Sequence, residues 1–238
     1  MCKECRSSCH QFDSLTVGCL IFRLLMTLDP AIKTALILAP HPDDGEFGCG
    51  ATLRRLSDSG VAVWYAAFSP CIASLPEGSQ PDRLWGELRT ACGHLGIAPE
   101  RIKTHDFAVR YFPRDRQEIL ETLIDLRREI KPDLVLMPNG NDLHQDHHVL
   151  HQEGVRAFKH SRMLGYELPW NNLQFRSDFH VRVTEAQLDA KVEAVQAYES
   201  QRFRVYSDRS FLHGLARVRG VQVDAPFAEA FEAIRWII

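Results

Sequence analysis

Ala35-Leu36-Ile37-Leu38-Ala39-Pro40-His41-Pro42-Asp43-Asp44 decides the fold: an unbroken apolar run, a proline, then a knot of polar side chains. A run with no polar alternation is what a strand needs when helices cover both faces of a parallel sheet. Pro40 closes the strand, and Gly45, Gly48 and Gly50 lead into a helix expected over residues 48–56 and ended by Gly60. Residues 61–68, rich in Val and aromatics, predict a second strand, so the chain opens as strand, helix, strand.

The same alternation continues outward. Residues 69–82 are rich in Pro, Ser and Gly and read as a loop long enough to line a site. A helix is expected over residues 83–94 before Gly96, then a short extended piece over residues 102–107. Ile119, Leu120, Leu123, Ile124, Leu126 and Ile130 recur at helical spacing, which predicts an amphipathic helix over residues 116–130 stopped by Lys131-Pro132. Residues 133–137 form another buried strand, a helix then runs to about residue 159, and residues 164–168 read as a strand. Thr184 caps a helix whose apolar stripe covers residues 187–198, while residues 228–238 suit a strand or a helix equally. This order implies an α/β fold, a mostly parallel sheet flanked by helices with right-handed crossovers. Sites in such sheets lie beyond the carboxyl ends of the strands.

A chain of 238 residues suits a single core, and 45% hydrophobic with 25% charged residues is the composition of a soluble globular protein. The net charge of −3 leaves no cationic stripe for a run of phosphates, which argues against nucleic acid as a partner. Seven cysteines, with Cys2, Cys5, Cys9 and Cys19 crowded near the start, do not resemble a disulfide framework and point to a reducing cytoplasm. Residues 1–30 read as an N-terminal extension, disordered or mis-assigned, with Met26 as the functional start and residues 31–238 as the folded domain. Cys2, Cys5, Cys9 and His10 lack the second ligand pair of a structural zinc site. The apolar stretch over residues 17–28 is short and broken by Arg23, so no integral membrane segment is expected.

Two polar clusters fall at strand ends. In the first, His41 with adjacent Asp43 and Asp44 allows one carboxylate to join the imidazole on a cation while the other faces a substrate as a base. A plain helix cap accounts for one Asp but not for both together with His41. The second, Asn141-Asp142-Leu143-His144-Gln145-Asp146-His147-His148, follows the strand over residues 133–137. His144 and His147 share a face if the segment is helical, Asp146 can orient a ring, and His148 and His151 are rival ligands by spacing. Two His and one Asp would leave a fourth position open to water, the mark of a catalytic rather than a structural metal.

Ala39-Pro40-His41-Pro42-Asp43-Asp44, Gly48-Cys49-Gly50-Ala51-Thr52-Leu53 and Asp142-x-His144-x-Asp146-His147 together resemble the PIG-L/LmbE-like family of zinc-dependent N-acetylglucosaminyl deacetylases, over about residues 33–238. The resemblance implies a Rossmann-like domain and removal of the acetyl group from an N-acetylated amino sugar. It implies one zinc ion per chain, or another divalent metal, held by His41, Asp44 and His147. Asp43 then matches the general base, His144 the residue that steadies the oxyanion or protonates the leaving amine, and Asp146 its orienting neighbour. Departures from the family pattern are Gly45 standing before Glu46, and Arg83 lying four residues before Glu87 rather than three. A homo-oligomer is compatible with this reading.

Two other readings compete: an amidase acting on a thiol conjugate or antibiotic, and a nucleotide-binding module. The second lacks the G-x-G-x-x-G spacing, and its acidic pair would repel phosphates. What the sugar is attached to depends on the loops over residues 69–82 and 167–179, where Trp170 would stack on a sugar or anchor its loop.

Overall fold

The computed structural model describes residues 28–75 and 78–238. In chain order its principal elements are β1 (Thr34–Ala39), α1 (Asp44–Asp58), β2 (Ala62–Ala67), α2 (Arg83–His94), β3 (Ile102–Thr104), α3 (Arg116–Ile130), β4 (Leu134–Pro138), α4 (Gln145–Ala157), β5 (Arg162–Tyr166), β6 (Phe179–Arg182), α5 (Glu185–Gln196), α6 (Arg209–Val221) and β7 (Ala228–Arg235). The strands form one sheet in the order β3-β2-β1-β4-β5-β7-β6. β1 through β5 pair in parallel, and β7 runs antiparallel to both β5 and β6. The sheet is therefore the mostly parallel α/β arrangement expected.

The apolar run of β1 is explained by its two faces. Ala35, Ile37 and Ala39 enter one core layer with Leu53, Leu56, Leu88 and Val192, while Leu36 and Leu38 enter the other with Ile119, Leu123, Val135 and Leu150. Successive strand residues point to opposite sides, so a strand covered twice has no position for a polar residue.

Several elements differ from the sequence reading, among them β3, which is shorter (Ile102–Thr104), and β5, which lies two residues earlier (Arg162–Tyr166). α1 starts at Asp44 rather than at residue 48, because it is two helical pieces joined at Cys49, whose backbone is non-helical (φ −150°, ψ 24°). The glycines that obscured its first turn are there for close approach: a Cβ on Gly48 would sit 2.4 Å from the Tyr166 ring, and one on Gly45 2.7 Å from the Tyr65 hydroxyl. They pack against aromatic rings, which accounts for them without a phosphate cradle. α4 begins at Gln145, the ambiguous C-terminal segment is the strand β7, and β6 and α6 are additional. Thr184 does cap α5, in a reciprocal box with Gln187. The Met26 start and the cluster Cys2, Cys5, Cys9 and His10 lie outside the described residues. Among the described residues no helix is long and apolar enough to cross a membrane.

The break at Cys49 leaves N–H groups of the second piece of α1 without helical acceptors. Buried Glu229 on β7 takes them, accepting from Ala51 at 3.2 Å and Thr52 at 2.7 Å, and it pairs with buried Lys191 at 2.6 Å. Glu229→Ala strands an ammonium and two amides in the core, so it should cost about 3–5 kcal/mol. Urea unfolding should show this as a lower midpoint at unchanged slope, and a loss below about 1 kcal/mol would deny the role.

Candidate metal centre

β1 and β4 are neighbours in the sheet, and the chain leaves them in opposite directions, β1 toward β2 and β4 toward β5. Such a switch point opens a crevice at the carboxyl ends, and both polar clusters stand there. His41 follows β1, Asp44 opens α1, and His147 lies in the first turn of α4.

His41 Nδ1 is 3.1 Å from Asp44 Oδ2, His147 Nε2 is 3.2 Å from the same oxygen, and the two nitrogens are 3.2 Å apart. These edges are near the roughly 3.3 Å between neighbouring donors that each lie about 2.0 Å from a tetrahedral ion. The outward nitrogens are also held: His147 Nδ1 bonds Asp142 Oδ2 at 2.8 Å and His41 Nε2 bonds Asp146 Oδ2 at 3.1 Å. Carboxylates in that position fix the tautomer and aim of metal-binding imidazoles. His144 belongs to the same group of metal-capable side chains, its ligand nitrogen lying within 4.8 Å of those of His41 and His147. The His41–Asp44–His147 triangle is the tighter set, and its donor chemistry suits a divalent ion.

Electrostatics fit a cation as well. Burial opposes protonation of His147, yet Asp44 and Asp142 outweigh it and push its pKa up to about 10. His41 is likewise raised against the effect of burial by Asp44 and Asp146. For Asp44, burial works toward the neutral acid, but His147 and His41 overcome it and hold the carboxyl below its usual range. The carboxylates thus favour positive charge at this point, and a metal binding here would compete with protons for the imidazole nitrogens.

Asp43 precedes α1, but its side chain makes no cap hydrogen bond. The carboxylate instead lines a cavity of about 250 Å³ together with His41, Asp44, His144 and His147. Burial first, then Asp44, raise the Asp43 pKa to about 6, with Arg204 and His41 opposing. His144 is the N-cap of α4 rather than a member of a shared helix face; its Nδ1 accepts the Asp146 N–H at 3.2 Å. An accepting Nδ1 puts the ring proton on Nε2. Burial, then His41 and His147, lower the His144 pKa to about 4, so the ring is a neutral donor at pH 7.

Asp146 is buried and orients His41, distant in sequence, while also accepting the N–H groups of Arg110 at 2.6 Å and Phe112 at 3.3 Å. The rival histidines are engaged elsewhere: His148 is exposed and bonds Gln152, and His151 bonds the Pro138 carbonyl. Glu46 lies beneath the site, fully buried, bonded by the hydroxyls of Tyr65 at 2.5 Å and Tyr198 at 3.0 Å. Burial outweighs these bonds and raises its pKa to about 8, so it serves as a neutral brace. Both tyrosine hydroxyls also lie within hydrogen-bond distance of the Pro42 carbonyl, so their hydrogens are shared between Glu46 and the turn that carries Asp43. Arg83 pairs with Glu87 at 3.2 Å and does not line the cavity.

The cavity has further walls that the sequence did not signal. Gln201, Arg204 and Tyr206 come from the segment before α6, and Arg110 from the loop after β3. No periodicity or motif marks these residues. Asp142 was in view within the Asp-x-His motif, and the need of a metal-binding histidine for a carboxylate partner would have found it. Trp170 stacks on Tyr206 with ring centroids 3.8 Å apart and planes 10° apart, and both rings line the cavity.

The family described as GlcNAc-PI de-N-acetylase, PIG-L, matches residues 36–158. Diacetylchitobiose deacetylase of Thermococcus kodakarensis is 26% identical over 71% of this chain and 70% of its own length. The 1D-myo-inositol 2-acetamido-2-deoxy-alpha-D-glucopyranoside deacetylase of Kineococcus radiotolerans is 27% identical over 58% of this chain, which spans only 49% of that relative. In three dimensions, N,N'-diacetylchitobiose deacetylase from Pyrococcus horikoshii superposes with a TM-score of 0.71 at 20% identity, covering 95% of this chain and 94% of the other, a likeness of fold.

Proposed function

From the premise that the chain belongs to the PIG-L, GlcNAc-PI de-N-acetylase, family, we propose that it is a metal-dependent hydrolase that removes the acetyl group from an N-acetylated amino sugar. The observation that carries this reading is the His41–Asp44–His147 donor triangle opening into the cavity that Asp43 and His144 also line. The relatives' names support the substrate class, since both curated relatives act on acetamido sugars with different attachments.

His41, Asp44 and His147 would hold one divalent ion, zinc by the chemistry of its donors. Such an ion supplies a water whose pKa falls to about 7 and polarises the acetamide carbonyl. Asp43, unused as a helix cap, takes the proton as water attacks the carbonyl carbon. His144 donates its Nε2 hydrogen to the carbonyl oxygen as that atom gains negative charge. Collapse breaks the carbon–nitrogen bond, acetate departs, and the amine takes the proton that Asp43 collected. Asp142 and Asp146 keep the imidazoles aimed throughout. Buried, unpaired Cys49, Cys71 and Cys92 suit a reducing compartment such as the cytoplasm.

Release of free amine from a panel of N-acetylated sugars, with and without added zinc, tests the activity; no release from any member would reject it. His144→Ala separates the two parts that residue could take. It should keep a full complement of metal while kcat falls by about 10²–10³-fold. Loss of the metal instead would make His144 a ligand.

A further inference from the structure

Two guanidiniums line the cavity from separate loops, Arg110 and Arg204. Arg204 is half-buried, and its bonds go to neutral acceptors: Nε donates to Gln201 Oε1 at 2.6 Å and a terminal nitrogen to the Tyr206 hydroxyl. Its segment is fixed at two points. Glu87 accepts the Ser200 N–H at 3.0 Å and the Ser200 hydroxyl at 2.6 Å, and Trp170 covers the Tyr206 ring. Arg110 is exposed and held in a left-handed conformation, φ 73°, which is strained for a non-glycine residue. The short bond from its N–H to Asp146 maintains that conformation, and its guanidinium donates to Ser74 Oγ at 3.1 Å.

Among the described residues neither arginine forms an ion pair, whereas Arg219, half-buried like Arg204, is paired with Glu167. A guanidinium drawn partly out of water with only neutral acceptors keeps its charge and its fork of donors for whatever enters the cavity. Asp44 is buried, Asp43 and Arg204 are half-buried, and Arg110 at the rim is exposed. A bound sugar with its acetamido group at Asp43 would therefore present its other substituents to positive charge.

We propose that Arg204 and Arg110 read an anionic substituent, phosphate or carboxylate, on the amino sugar, so that the preferred substrate is an anionic N-acetylated sugar rather than a neutral one. This rests on the deacetylase reading and narrows its substrate class.

The test compares kcat/KM of the zinc-loaded full chain on methyl N-acetylglucosaminide, N-acetylglucosamine 1-phosphate, N-acetylglucosamine 6-phosphate and N-acetylmuramic acid. At least one anionic sugar should exceed the neutral one by about 10-fold or more, mainly through KM, with the advantage shrinking as salt is added. The phosphate and lactyl arms tell which anion is read. In Arg204→Met and Arg110→Met, each checked for an unchanged unfolding midpoint, that ratio should fall toward one. Equal rates on neutral and anionic sugars in the wild-type chain would overturn the inference and leave the deacetylase reading standing. An equal loss on every sugar in Arg204→Met would overturn it too, making the arginine a partner of Asp43 alone. Failure to deacetylate any of the four, or any other acetamido sugar, would end both.

Discussion

Asp43→Asn should leave the chain folded and metal-loaded and reduce kcat by about 10²–10⁴-fold, the contribution of a well-placed general base. The expectation rests on where the carboxylate is not used. It makes no cap hydrogen bond to α1 and is not part of the donor triangle, yet it lines the same cavity. A companion effect concerns pH. Burial and the neighbouring Asp44 raise its pKa to about 6, and a bound cation would shift it downward. A base must be ionised, so activity should rise with pH along an acid limb centred at or below about 6, and Asp43→Asn should lack that limb. Near-normal turnover in the variant, with one metal per chain, would remove Asp43 from the mechanism.

His147→Ala should lose both metal and turnover. Its Nε2 is one corner of the triangle, and its Nδ1 is tied to Asp142 at 2.8 Å, so truncation removes a donor whose aim is already fixed. Loss of an orienting partner alone costs about 10–100-fold in metal affinity, and loss of the donor itself should exceed that. Asp142→Ala supplies the comparison, with a weaker but measurable loss. The site's affinity should also fall as pH falls, since the His147 imidazole, raised to about 10, must give up a proton to bind. A His147→Ala chain that retained stoichiometric zinc after dialysis would show that the ion is held elsewhere.

The sequence carried the fold where burial leaves a simple trace. β1 and β4 are covered on both faces, so their residues read as unbroken apolar runs, and α3 carries a one-sided stripe that set its limits at residues 116 and 130. The trace fades where other demands act. In α1 the first turn hides behind glycines required by Tyr65 and Tyr166, and its break at Cys49 depends on Glu229, far along the chain. α6 buries Leu212, Ala216 and Gly220 but exposes Val218 and Val221, so its apolar residues do not mark one face. β7 is buried along its first half yet includes Glu229, so neither period prevailed.

The site divides in the same way. His41, Asp43, Asp44, His144, Asp146 and His147 are compact in sequence because each group occupies one turn after a strand, and such turns are local. Which carboxylate serves which ring is a tertiary matter: Asp146 orients His41 across the crevice, not the histidines beside it. Arg110 and Arg204 reach the cavity from loops whose path is set by Asp146 and Glu87, and no pattern of residue types records that path.

The proposed hydrolysis requires side chains from the ends of β1 and β4 to bind a single divalent ion. Anomalous diffraction at the zinc edge from crystals of the zinc-loaded chain tests it most directly. The predicted map has one strong peak per chain, touching His41 Nδ1, an Asp44 carboxylate oxygen and His147 Nε2, with Asp43 free of the ion. A peak coordinated by His41, His144 and His147 without Asp44, or no peak in this crevice, would contradict it.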